Sequence, residues 1–211
     1  MESIWSKTTT IEEKPALRGD LNIPVAVIGG GLAGMLTAYL LGQRGVKCVV
    51  LEGSRIGSGQ TKNTTAKVTS QHGLIYSKLL SSLGEGRAQQ YAGANQQAIE
   101  DYRKLITENN ISCDWEECPA YLYTLGDPSP MQREAEAASL LGIPADFTKK
   151  TELDFFPVEG AVRFEGQARF DPLKFLKFLA EKVTVFENTR ALTVEEDRIK
   201  TEKGTVRAER I

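Results

Sequence analysis

The sequence predicts an α/β fold, and three observations point to it. A run rich in β-branched residues, Ile23 to Ile28, passes through three consecutive glycines into a stretch of helix formers, Leu32 to Gln43. Gly45 stands at the C′ position of that helix, ahead of a second strand, Lys47 to Glu52, so the opening reads as a βαβ unit. Far downstream, a helical stripe from Ala88 to Ile106 and a run of short strands from Ala191 to Ala208 supply the remaining helix and sheet material.

Composition bounds what such a fold does. With 211 residues, 41% of them hydrophobic, the chain is long enough for one sizeable core and a second small lobe. Its 26 Lys and Arg against 28 Asp and Glu leave a formal net charge of -2, which argues against a nucleic-acid surface or a polybasic membrane anchor. Three cysteines (Cys48, Cys113, Cys118) and one histidine (His72) are too few for a disulfide framework or an unaided zinc site, so no metal is expected and a reducing, cytoplasmic setting is the default. The uncharged stretch Asn22 to Gln43 has the length of a membrane span, but Gly29, Gly30 and Gly31 sit near its middle, each costing about 1 kcal/mol of helix propensity. A secretory signal fits no better, because Glu2, Glu12, Glu13 and Asp20 precede the apolar run.

The elements follow in order. Residues 1–22 are polar and aperiodic, an arm on the surface or partly disordered. After the βαβ unit, Gly53 to Gln71 is rich in Gly, Ser and Thr and longer than most strand-to-helix connections, as a working loop is. Trp115 to Leu125 carries strand formers interrupted by Pro119, and Pro128 to Leu141 returns to helical spacing until Gly142. Val158 to Phe170 reads as two short strands about Glu165-Gly166, and Asp171-Pro172 starts a helix to about Lys182. Val183 to Phe186 resumes strand character, and the last strands form a meander with turns at Glu195-Glu196-Asp197 and Glu202-Lys203-Gly204.

Within the first unit, Gly29, Gly31 and Gly34 match G-x-G-x-x-G. Alone this pattern is weak; here it follows a strand, opens a helix, and is followed eighteen residues after Gly34 by Glu52 at the end of the next strand. Gly29 allows the tight turn, Gly31 lets a pyrophosphate approach the backbone, and Gly34 lets helix and strand pack closely. The helix N-terminus offers amides to phosphate. A carboxylate at Glu52 accepts hydrogen bonds from ribose hydroxyls and repels a 2′-phosphate, which favours FAD or NAD over NADP. The Gly57-Ser58-Gly59-Gln60-Thr61 loop, placed to grip a longer dinucleotide, favours FAD.

The run from Val25 to Gly34, then Val49 to Glu52, then Arg55 to Thr61 resembles the FAD-binding part of the D-amino-acid oxidase and glycine oxidase superfamily. Asn63 to Tyr76, and Glu2 to Trp5 in the arm, are similar to the bacterial branch that carries a Rieske iron-sulfur domain at its C-terminus. The resemblance implies a Rossmann-like FAD-binding domain (23–74 and 171–211) and an incomplete α+β substrate domain (75–170) inserted in sequence. It implies that Leu32 and Ala33 contact the pyrophosphate, Glu52 and Gly53 the adenosine ribose, and Gln60 and Thr61 the phosphate and ribityl region. By the same resemblance Thr65, Ala66 and Lys67 approach the flavin and Val185 meets adenine through backbone groups. Family members continue past the equivalent of Ile211, so the chain is expected to be an N-terminal fragment, and a Rieske centre, needing two Cys and two His, lies outside it.

The function implied is oxidation of a small amine or amino-acid-like substrate by hydride transfer to FAD, with electrons passed to an acceptor such as a Rieske domain. Two alternatives stay open: a nucleotide-binding fragment without turnover, and an NAD-linked dehydrogenase. Lys67 and His72 are candidate flavin neighbours beside plain surface roles, and Trp115, Tyr121 and Tyr123 line a pocket or serve packing. Cys113 and Cys118 form a C-x4-C pair with no second pair, and Cys48 reads as core.

Overall fold

The computed structural model describes residues 2–153 and 155–211. They form two compact units, one made of the chain up to Thr65 together with Asp171–Ile211, the other of Ala66–Phe170. The first unit opens with α1 (Ile4–Thr8), β1 (Leu21–Ile28), α2 (Leu32–Gln43), β2 (Cys48–Leu51) and a 3-10 turn at Gln60–Asn63. The second unit holds β3 (Lys67–Val68), α3 (Tyr76–Leu83), α4 (Glu85–Glu108), β4 (Glu116–Glu117), β5 (Ala120–Thr124), α5 (Ser129–Leu140), β6 (Ala145–Thr148), β7 (Gly160–Phe164) and β8 (Ala168–Arg169). The chain then returns to the first unit with α6 (Pro172–Lys182), β9 (Val185–Phe186), β10 (Ala191–Val194), β11 (Arg198–Thr201) and β12 (Gly204–Arg210).

The first unit is built on a six-stranded sheet in the order β10-β11-β12-β1-β2-β9. Strands β12, β1, β2 and β9 run parallel, with Val25 opposite both Arg210 and Cys48, while β10 and β11 add an antiparallel meander. Ala26, Val49, Leu51, Ile199 and Val206 are buried in its core, as are Phe175, Leu176 and Leu179 of α6. Asp171 caps α6, its Oδ1 accepting from the amides of Leu173 and Lys174, and Pro172 occupies the first helical position where a missing N–H costs nothing. The uncharged stretch is thus a strand, a turn and a helix, and among the described residues no helix is long and apolar enough to cross a membrane. The polar N-terminal arm is packed: Ile11 and Leu17 are buried and α1 is a helical turn capped by Ser3.

In the second unit the antiparallel sheet β5-β7-β6 lays Val162 and Phe164 against Tyr76 of α3, Ala88 and Ala92 of α4, and Met131, Ala135 and Ala138 of α5. A Cβ at Gly160 would sit 2.6 Å from the Phe147 ring, so only glycine lets β6 and β7 close at that point. Residues 66–74 belong to this unit because β3 pairs β8 and buried Ser70 donates its amide to Gln167 Oε1 at 2.7 Å. Helix α3 has no local cap; the fully buried Glu134 of α5 accepts from the amides of Ile75, Tyr76 and Ser77 and from the Ser77 hydroxyl.

Candidate functional site

Strands β1 and β2 lie side by side and parallel, so the turn after β1 and the residue after β2 come together at their C-terminal ends. Gly29 leaves β1 with φ of 105°, a conformation a side chain would strain, and donates its amide to Leu51 O at 2.9 Å. Gly31 is the N-cap of α2, with the first helical bond from Met35 N–H to Gly31 O. A Cβ on Gly34 would stand 2.0 Å from Gly29 O, so the first turn of α2 rests directly on the backbone of the glycine turn. Leu32 and Ala33 occupy that first turn, where amides have no acceptor within the helix.

Glu52 follows β2 and turns its side chain to the same place. Its Oε2 accepts from Gly30 N–H at 2.6 Å and its Oε1 from Ser54 N–H at 2.8 Å. A carboxylate has about four lone-pair sites, so both oxygens retain capacity for ribose hydroxyls. Thr61, buried in the 3-10 turn, accepts from Leu32 N–H at 3.2 Å through Oγ1. That hydroxyl keeps its own proton to donate to an anion at the helix end. Gly57, with φ of 71°, donates to Gly30 O at 3.0 Å, closing the loop over the turn. Gly53 and Gln60 are exposed beside these residues. Strand β9 is the sheet edge: Val50 and Glu52 donate to the carbonyls of Thr184 and Phe186. Alternation along a strand therefore turns the amide and carbonyl of Val185 to the open side, while its side chain is buried. Amides at a helix N-terminus, a carboxylate one strand away and a free edge beyond it fit the phosphate, ribose and base of a dinucleotide.

Residues 24–211 match the sequence family described as FAD dependent oxidoreductase, DAO. The chain belongs to that family. As a DAO chain it is 36% identical over 200 residues to the Bacillus subtilis protein YhfW, whose name assigns it a Rieske 2Fe-2S iron-sulfur centre. That alignment covers 92% of this chain and 39% of the relative. Among solved structures, L-amino acid deaminase from Proteus myxofaciens shares the fold with a TM-score of 0.71 at 18% identity, covering 95% of this chain and 47% of that one. L-proline dehydrogenase from P. horikoshii does so with a TM-score of 0.70 at 21% identity, over 91% of this chain and 52% of that one. The chain thus spans about half or less of the proteins it matches. The family match makes FAD the dinucleotide that the DAO fold is built to hold.

Apart from Thr65 and Cys48, the remaining residues singled out on sequence lie in the second unit. Thr65 is exposed at the end of the first unit; Ala66 and Lys67 belong to the second, Ala66 buried with φ of 58° and Lys67 exposed on β3 opposite Arg169. His72 is exposed, its Nδ1 3.2 Å from the Tyr91 hydroxyl. Trp115 meets Phe170 edge-on, Tyr123 packs on Phe156, and the Arg163 guanidinium stands 6.0 Å from the Tyr121 ring. All three cysteines are free thiols; burial pushes Cys48 and Cys118 up from the ordinary thiol range. Among the described residues no group of three or more His, Cys, Asp or Glu side chains is placed to hold a metal. Sequence reasoning missed the amide of Ser54, the Gly57-to-Gly30 bond and the Arg55–Glu187 pair, and only the glycine at position 57 carried any local signal of them.

Proposed function

We propose that this chain forms the FAD-binding domain and part of the substrate domain of an oxidoreductase acting on a small amine or amino acid. The observation that carries the proposal is the convergence of the glycine turn, Glu52 and Thr61 at the ends of β1 and β2. In this reading Gly29, Gly31 and Gly34 admit the pyrophosphate to the backbone, and Leu32 and Ala33 contact it at the first turn of α2. Thr61, with Gln60, donates to a phosphate oxygen; Glu52 and Gly53 take the adenosine ribose; Val185 meets adenine with its outward amide and carbonyl. Thr65, Ala66 and Lys67 approach the flavin, where a lysine cation favours negative charge.

FAD, when bound, supplies the redox chemistry by accepting a hydride from a carbon next to an amine. The amine class is supported by two fold relatives named for amino-acid substrates, a deaminase and a proline dehydrogenase. A Rieske domain as electron acceptor is supported by the likeness to YhfW.

Purified protein mixed with FAD is expected to retain a flavin absorbance through gel filtration, and anaerobic addition of amino acids to bleach it. Retention without bleaching by any amine would leave binding alone as the function, and no retention would overturn the proposal.

A further inference from the structure

The N-terminal arm follows the candidate cofactor loop, residues 53–64, along much of its length. Trp5 Nε1 donates to Thr64 O at 2.9 Å, at the far end of that loop. The Thr8 and Thr9 hydroxyls donate to Oδ2 of Asp171, the buried cap of α6, at 3.1 and 3.4 Å. At the near end Arg55 donates to Ile11 O at 3.0 Å and pairs with Glu13. Glu187 is fully buried, and its carboxylate joins three segments: the amide of Lys14 in the arm at 2.9 Å, the amide of Ile56 in the loop at 2.6 Å, and Arg55 Nε at 3.1 Å. The arm continues with Pro15 O accepting from Glu187 N–H and Leu17 N–H donating to Thr189 Oγ1.

None of these arm residues stands in the glycine motif, yet they fix both ends of the loop that carries Gly57 and Thr61. A buried carboxylate is held by its partners and is strained by losing any of them. We propose that residues 5–17 form a strap that holds the loop 53–64 in its cofactor-binding conformation, with Arg55 and Glu187 as positioning residues that latch it. The proposal rests on the reading of that loop as part of the FAD site. By linkage the coupling is reciprocal: if the strap favours FAD binding, FAD must in turn stabilise the strap.

The test uses the whole chain with two substitutions, Arg55→Ala at the latch and Trp5→Phe at the far end, the second removing one hydrogen bond without disturbing a buried charge. Amide hydrogen exchange without FAD should be faster by about tenfold in residues 53–64 of each variant, with β1 and β2 unchanged, as local rather than global opening gives. FAD should bind each variant about tenfold more weakly in a flavin-fluorescence titration. In the unsubstituted protein FAD should slow exchange in residues 5–17, and in Arg55→Ala this protection should vanish. Unchanged loop exchange in both variants would overturn the strap. If the unsubstituted protein binds no FAD, the functional reading fails, and loop exchange measured without FAD still decides whether the strap exists.

Discussion

Gly34 is the residue whose identity the structure constrains most tightly, since a methyl group there would overlap the carbonyl of Gly29 at 2.0 Å. Neither partner is a flexible side chain, so relief requires moving α2 off β1. Gly34→Ala is expected to cost about 1–3 kcal/mol of stability, the usual range for forced overpacking, and more than the same change at Gly42, where a Cβ meets nothing. Urea unfolding of the two variants measures the difference; equal midpoints would mean the turn gives way cheaply. Glu52 carries the complementary expectation. Glu52→Ala leaves the Gly30 and Ser54 amides without their acceptor and removes the proposed ribose contact, so FAD retention on gel filtration should drop. Unchanged occupancy would reassign the ribose. Both positions were legible in the sequence because their signals are local: glycine spacing and one carboxylate at a strand end. Glu187 was not. Nothing in Phe186-Glu187-Asn188 announces a carboxylate that is buried and bonded to residues 131 to 173 positions away.

At the scale of elements, sequence signals worked where the start and stop of an element are written beside it. Asp171-Pro172 announces α6, and Gly45 follows α2. Helix α3 has no such announcement, because its cap is Glu134, more than fifty residues later on α5. Strand β6 is equally silent: it is short and defined by pairing with β7. Glu134→Gln places an amide donor against donors, since both carboxylate oxygens accept two bonds each. The expected cost is about 2–4 kcal/mol in urea unfolding, from several lost or opposed charge-assisted bonds; a loss under about 0.5 kcal/mol, the level of an ordinary surface change, would show the cap to be dispensable. The same helix sets an alkaline limit. Burial pushes the Tyr76 phenol up to about 12, with the Ser70 carbonyl accepting its proton at 2.6 Å. Its folded-state value lies above the ordinary 10, so the folded chain holds the proton longer than the unfolded one. That stability is complete below pH 10 and falls as pH rises toward 12. An absorbance titration near 295 nm should show late-ionising tyrosines above the ordinary range, Tyr76 and also Tyr102, which burial likewise pushes up, and Tyr76→Phe should remove one tyrosine from that late step.

The two units have separate cores, and each contains one tryptophan, Trp5 in the first and Trp115 in the second. That division was partly readable, because a βαβ opening and a terminal meander flank a differently patterned middle. The integration of the arm into the first unit was not, since its contacts are backbone amides and carbonyls that every sequence possesses. The arrangement makes ligand linkage resolvable in one part of the molecule. In a Trp115→Phe chain the remaining tryptophan reports on the first unit, which carries the glycine turn, Glu52, Thr61 and Val185. A ligand that binds only the folded form stabilises it by about 2.7 kcal/mol at a hundredfold excess over its dissociation constant. FAD should therefore move the Trp5 transition to higher urea, and by a further 1.4 kcal/mol or so for each tenfold more FAD, as mass action requires. NAD at the same concentrations should move it less, because it shares the adenosine and pyrophosphate but lacks the ribityl chain and isoalloxazine that FAD carries beyond them. A Trp5 transition that ignores FAD would detach the dinucleotide from the first unit and with it the assignment of Glu52 and Thr61, and one that follows NAD as strongly would favour the NAD-linked reading.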